Sequence, residues 1–215
     1  PIVSSPTFAI RKKAISIFTL EQYVEQAMMT IKQCRIIKSA VAEHRNILVV
    51  GGTGSGKTTL VNAIINEMVI HDPTERIFII EDTGEIQCAA ENFVQYHTSL
   101  DVSMTQLLKT TLRMRPDRIL VGEVRGEEAL DLLDAWNTGH EGGAATLHAN
   151  DALSGLTRLN SLITRNKSAP ADIDALIGEV VHCVVHIVRT PTGRRIQEIV
   201  EVEGHKRGNY RIKRF

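Results

Sequence analysis

Residues Gly51-Gly52-Thr53-Gly54-Ser55-Gly56-Lys57-Thr58 follow the spacing G-x-x-x-x-G-K-[ST]. A glycine-rich turn of this kind lets successive backbone N–H groups converge on one anion. Lys57 can reach the β- and γ-phosphates of a nucleotide, the Thr58 hydroxyl can ligate Mg2+, and Thr59 extends the binding set. The ammonium of Lys57 reads as a solvent-facing ligand group. Asn46 to Val50 ahead of the turn is a short β-branched run suited to a buried parallel strand, and Leu60 to Asn66 behind it has the spacing of a helix with one apolar face. Strand, turn and helix start place a positive dipole end at the turn, which suits a polyphosphate. ATP or GTP with Mg2+ is the ligand these residues imply.

Such a ligand needs a carboxylate directed at the metal or at an attacking water. Arg118-Ile119-Leu120-Val121-Gly122-Glu123 is an apolar strand ending in Glu123, at the carboxyl edge where open α/β sheets place their ligands. Gly122 stands where an aspartate ordinarily precedes such a glutamate, so a metal-side carboxylate must come from elsewhere. The strand ending in Glu81-Asp82, with Glu85 close behind, offers three. Glu123 is therefore expected to orient or activate water, and Glu81, Asp82 and Glu85 to form the metal-side group, partly through water. Asp82-Thr83-Gly84 also fits turn chemistry. Arg113, Arg115 and Arg125 bracket Glu123 in sequence, and phosphoryl transfer uses mobile positive charge on the γ-phosphate from the same or a neighbouring subunit.

His140 and His148 bracket a second glycine-rich stretch, but His140-Glu141-Gly142-Gly143 does not continue into the helical H-E-x-x-H display that zinc uses. His182 and His186, four apart in a strand, lie roughly 13 Å from one another and read as structural or hydrogen-bonding histidines. Cys34, Cys88 and Cys183 form no CxxC pair. No structural zinc is expected, and the thiols are expected to be free in a reducing compartment.

The elements that must position these groups alternate. Thr7 to Arg11 reads as a lone strand, and Thr19-Leu20-Glu21-Gln22 as a capping box opening a helix with Val24, Ala27, Met28 and Ile31 on one side. A second helix runs through Ile36, Ile37, Ala40 and Val41. Strands follow at Arg76–Ile80, Phe93–His97, Ile119–Val121 and Ala144–His148, with helices from Ser103, from Glu127 to Asn137 and from Ala152 to Ile163 between them. This alternation implies a mainly parallel sheet covered on both faces. The end changes character: Val180 to Val188, Arg195 to Val202 and a last strand through Tyr210 and Ile212 read as an antiparallel meander.

Composition bounds the remaining possibilities. The 215 residues carry 25 basic and 25 acidic side chains, and a balanced charge without aromatic stacking clusters counts against direct nucleic-acid binding or a DNA motor. The basic clusters Arg11-Lys12-Lys13 and Lys206-Arg207 with Arg211, Lys213 and Arg214 read as solvated surface. No apolar run is long enough to span a bilayer, and no signal-like segment opens the chain. The first residue is proline rather than methionine, and a fragment or processed chain is expected.

Taken together, GGTGSGKTT (51–59), IIEDTGE (79–85), LRMRPDRILVGEVRG (112–126) and TGHEGGAATLHAND (138–151) resemble the Walker A, Asp, Walker B and His boxes of the secretion-ATPase superfamily. Glycine before the Walker B glutamate belongs to that pattern. The wording looks most like the conjugative-transfer ATPases of the type IV secretion branch. A type II secretion or pilus motor is the nearer alternative, although many type II assembly motors carry a tetracysteine zinc insert that this chain lacks. The resemblance implies a RecA-like ATPase domain over 19–215, preceded by residues 1–18 as the last strand and linker of an N-terminal domain. It also implies a homo-oligomeric ring, a hexamer, at the cytoplasmic face of the inner membrane, working with other secretion components. His140 and His148 carry over as γ-phosphate sensing or inter-subunit coupling residues.

Overall fold

The computed structural model describes residues 4–8, 10 and 17–215. The strand expected over 7–11, and with it most of the expected 1–18 remnant, involves residues outside that set. Helix α1 (Leu20–Glu25) opens on the Thr19–Gln22 capping box and α2 (Ile31–Ala42) on a second box, Thr30–Gln33. The sequence suggests a helix continuing to Ile31, but the chain breaks: Ala27 takes a φ of 55° and Thr30 caps anew. Ile31 consequently begins α2 and is 60% exposed.

The remaining order is β1 (Ile47–Val50), α3 (Lys57–His71), β2 (Ile77–Glu81), β3 (Phe93–His97), α4 (Met104–Thr111), β4 (Arg118–Val121), α5 (Glu128–Asn137), β5 (Ala144–Leu147), α6 (Ala152–Ile163), α7 (Ile173–Val180), β6 (Cys183–Thr190), β7 (Gly193–Lys206) and β8 (Asn209–Arg214). The eight strands form one sheet in the order β3-β2-β4-β5-β1-β6-β7-β8. Strands β3 through β6 in that order pair in parallel, and β7 and β8 are added antiparallel. The expected α/β class with a mainly parallel sheet and a terminal meander is thus what the chain forms. Its meander is continuous with the main sheet through the β1–β6 pairing. Val180, expected in a strand, instead ends α7, whose N-cap Asp172 accepts from the Ala175 N–H.

Alternation along the strands feeds two cores. Leu48 and Val50 of β1, with Ile119 and Val121 of β4, face the layer of α4 to α7. Ile47, Val49 and Leu120 face α1 to α3. The amino edge of the sheet is tied by two buried polar residues. Asn46 donates from Nδ2 to the Val180 carbonyl at 2.9 Å, while its Oδ1 accepts from the N–H groups of Gly142 and Gly143. Arg118, fully buried, pairs with Glu75 and donates to the carbonyls of Gly142 and Val41 at 2.9 and 3.1 Å. With that edge anchored, β1, β4 and β5 deliver their following residues to the opposite, carboxyl edge.

Candidate functional site

The loop 51–56 leaves β1 and enters α3 at Gly56, whose φ of 99° strongly favours glycine. No side chain among the described residues caps this helix, so its first N–H groups stay available to a ligand. Lys57 is buried rather than solvent-facing: it is 8% exposed, and Nζ donates to the carbonyls of Gly51 and Gly52, each at 3.0 Å. Burial pushes the ammonium below the ordinary lysine value, an effect the Glu123 carboxylate opposes. Ser55 is also buried, with an Oγ that has no partner among the described residues. The Gly52, Thr53 and Gly54 positions stay exposed, and Thr58 and Thr59 are half-buried at the helix start.

From Lys57 a line of polar contacts crosses the mouth of the loop. Nζ lies 3.4 Å from Nδ1 of His148, and His148 Nε2 lies 2.8 Å from Oε1 of Glu123. Arg125 donates from Nη2 to Glu123 Oε2 at 2.6 Å and from Nη1 to Asp82 Oδ2 at 2.9 Å. These partners assign the neutral tautomer to His148, with Nε2–H donating to Glu123 and Nδ1 facing the lysine ammonium. Burial and then the charge of Lys57 hold its pKa below the ordinary histidine value, against the pull of Glu123. The Glu123 bond pushes Arg125 higher still, keeping it charged.

The three carboxylates expected on the metal side differ in their partners. Glu85 Oε2 accepts from the Thr58 hydroxyl at 3.4 Å. This hydroxyl and carboxylate oxygen set suits a hard divalent cation such as Mg2+. Asp82 is occupied by Arg125 and by the Thr98 hydroxyl. Glu81 departs from the expectation: it is buried, its Oε2 accepts from the N–H groups of Glu85 and Ile86 at 2.7 and 3.1 Å, and its Oε1 accepts from Gln95. Its work is to shape the turn that carries Glu85. A Cβ on Gly122 would come within 2.7 Å of the Glu81 Cβ, so the close approach of β4 to β2 leaves no room there for an aspartate.

Three expected residues are not brought to this edge of the sheet. Arg113 lies in the 3₁₀ turn Leu112–Met114 and Arg115 just after it, both exposed and both ahead of β4, whereas Glu123 follows that strand. Sequence proximity is cancelled by a strand that runs from one edge to the other. His140 likewise precedes β5 while His148 follows it, and its buried Nδ1 has no partner among the described residues. His182 accepts the Asn46 N–H at 2.9 Å, as a hydrogen-bonding histidine should. His186 is buried in β6, and its Nδ1 has no partner among the described residues. Arg194, which no motif singles out, lies against Gly56; only the neighbouring of β6 and β1 brings it there, and nothing local in its sequence announces that pairing.

A family model described as Type II/IV secretion system protein matches residues 1–211. The chain is 50% identical over all 215 residues to the conjugal transfer protein TrbB of Rhizobium radiobacter, covering 66% of it. It is 38% identical over 178 residues to the type IV secretion system protein PtlH of Bordetella pertussis, covering 77% of this chain and 52% of that protein. Among solved structures it resembles the VirB11 ATPase of the Brucella suis type IV secretion system, crystallised with sulphate, at a TM-score of 0.74 and 32% identity over 90% of this chain and 60% of that one. The chain therefore spans between about half and two thirds of the length of these proteins.

Proposed function

Because this chain belongs to the Type II/IV secretion system protein family, we propose that it is the Mg2+-dependent ATP-hydrolysing part of a conjugative type IV secretion motor. The observation that carries this reading is the unbroken line from Lys57 through His148 to Glu123 across the mouth of the phosphate loop. Phosphate oxygens of ATP would replace the carbonyls of Gly51 and Gly52 as partners of Lys57, and the uncapped N–H groups at the start of α3 would complete the cradle. A water beside Glu123 attacks the γ-phosphorus. Its oxygen forms the new bond as the bridging bond to the β-phosphate breaks, ADP takes the electron pair, and Glu123 accepts the water's proton. Thr58, with Glu85 behind it through water, would hold Mg2+, which when bound neutralises charge shared by the β- and γ-oxygens.

His148 touches both the lysine and the glutamate, so arrival or loss of the γ-phosphate alters both of its bonds, and this supports the sensing role. Arg113 and Arg115, exposed and remote from this chain's own loop, are offered to a neighbouring subunit, as is His140. The assembly proposed is a homo-oligomeric ring, a hexamer, peripheral to the cytoplasmic face of the inner membrane and coupled to other conjugation components. Conjugal and type IV secretion relatives support the setting, and no helix among the described residues is long and apolar enough to cross a membrane.

Lys57→Ala tests the site. Loss of its phosphate contacts should abolish measurable Mg-ATP binding by calorimetry while the circular dichroism spectrum is kept. Because Nζ also ties Gly51 and Gly52, a modest drop in the unfolding midpoint accompanies it. Wild-type affinity in the variant would reject the loop as the nucleotide site.

A further inference from the structure

Hairpin β6–β7 packs on the flank of the phosphate loop opposite Glu123, since the strand order sets β6 beside β1. The approach is tight. A Cβ on Gly51 would meet the Ile187 carbonyl oxygen at 2.3 Å, and one on Gly56 would meet Cδ of Arg194 at 2.6 Å and its Nε at 3.0 Å. The β6–β7 register shifts between His186 and Ile187, and such bulges beside binding loops re-aim the side chains that follow. Past the bulge, Arg189 and Arg194 are directly opposed, so they share one face of the hairpin. Both are exposed, and neither guanidinium makes a hydrogen bond or ion pair among the described residues. Directly opposed like charges are unfavourable unless an anion offsets them.

We infer that Arg194, seconded by Arg189, is a nucleotide-binding residue outside the phosphate loop, taking the α-phosphate and nucleoside end of ATP or ADP. The inference rests on the reading of residues 51–59 as an ATP site. Glu123 follows β4, His148 follows β5 and Glu85 follows β2, all on one flank of β1. A γ-phosphate placed beside Glu123 therefore sends the α-phosphate and nucleoside across the loop toward β6–β7. There a guanidinium can hold a phosphate with two N–H groups or lie flat on a base, where a lysine offers only a point charge.

Calorimetric titration of the full chain with Mg-ADP and Mg-ATP tests this. Arg194→Ala should weaken both nucleotides by a similar factor, about tenfold, as loss of a charge-assisted contact common to both requires. Arg194→Lys should recover part of it, and Arg189→Ala should lose less. Arg195→Ala, opposed to Val188 and so on the other face, serves as the control and should keep wild-type affinity. In steady-state turnover the Arg194→Ala loss should fall on KM rather than kcat. Wild-type affinity in Arg194→Ala, or a defect confined to kcat, overturns the inference while the ATP site stands if Lys57→Ala still loses binding. A wild-type chain that binds neither nucleotide overturns both.

Discussion

At the scale of single residues, the lysine and glutamate that sequence pattern singles out do converge, with a histidine between them. Lys57, Thr58 and Glu123 were legible because their spacing sits on a strand, turn and helix whose ends are fixed by short-range rules. Glu81 was not, because its burial and its bonds to the Glu85 and Ile86 N–H groups depend on how β2 and β4 meet. The state of His148 has a kinetic consequence. Its pKa lies below the ordinary 6.5, so it takes a proton only as pH falls below that value; protonation then puts an N–H where Nδ1 faces Lys57 and sets two cations side by side. The acid limb of kcat/KM should therefore begin below pH 6.5 and be lost in His148→Asn, leaving only the fall expected as carboxylates protonate near pH 4. A variant with the same acid limb as wild type would exclude His148 as the group that sets it.

At the scale of elements, capping boxes and apolar strand runs located most of the boundaries. The exceptions have physical causes. A left-handed Ala27 splits the first helix, and α7 was hidden because Ile173–Val180, capped by Asp172, runs directly into the apolar segment of β6. Arg118 shows what pattern alone conceals: a charge at the start of an apolar strand that is fully buried and paired with Glu75. Removing one member of such a pair leaves the other buried without its opposite charge. Arg118→Ala should cost about 3–5 kcal/mol in denaturant unfolding. The double change Arg118→Met with Glu75→Leu should cost less, since neither charge is then left buried alone. A single variant as stable as wild type would mean the amino edge does not depend on this pair.

At the scale of the whole molecule, the sheet separates two sets of charged groups that are close in sequence. Arg125 is tied to Glu123 and Asp82 at the carboxyl edge, while Arg113 and Arg115 stand beyond the amino end of β4. No amount of sequence spacing distinguishes these, because only strand direction does. If the amino-edge arginines serve a neighbour's site, chains lacking them and chains lacking Glu123 should complement. An equimolar mixture of the Arg113→Ala/Arg115→Ala double variant with Glu123→Gln should turn over ATP faster than either alone. Activity equal to the mean of the two separate proteins would exclude a role in trans.

Glu123→Gln by itself tests whether ATP is hydrolysed at this loop with Glu123 acting on the water. Glutamine keeps the reach toward His148 and Arg125 but cannot accept the proton. Mg-ATP affinity should stay near wild type, and single-turnover hydrolysis should fall by at least about a hundredfold, as loss of a general base entails. Lost Mg-ATP affinity with wild-type turnover per bound nucleotide would contradict it, making Glu123 a metal-side group and moving the base to Glu85 or Asp82.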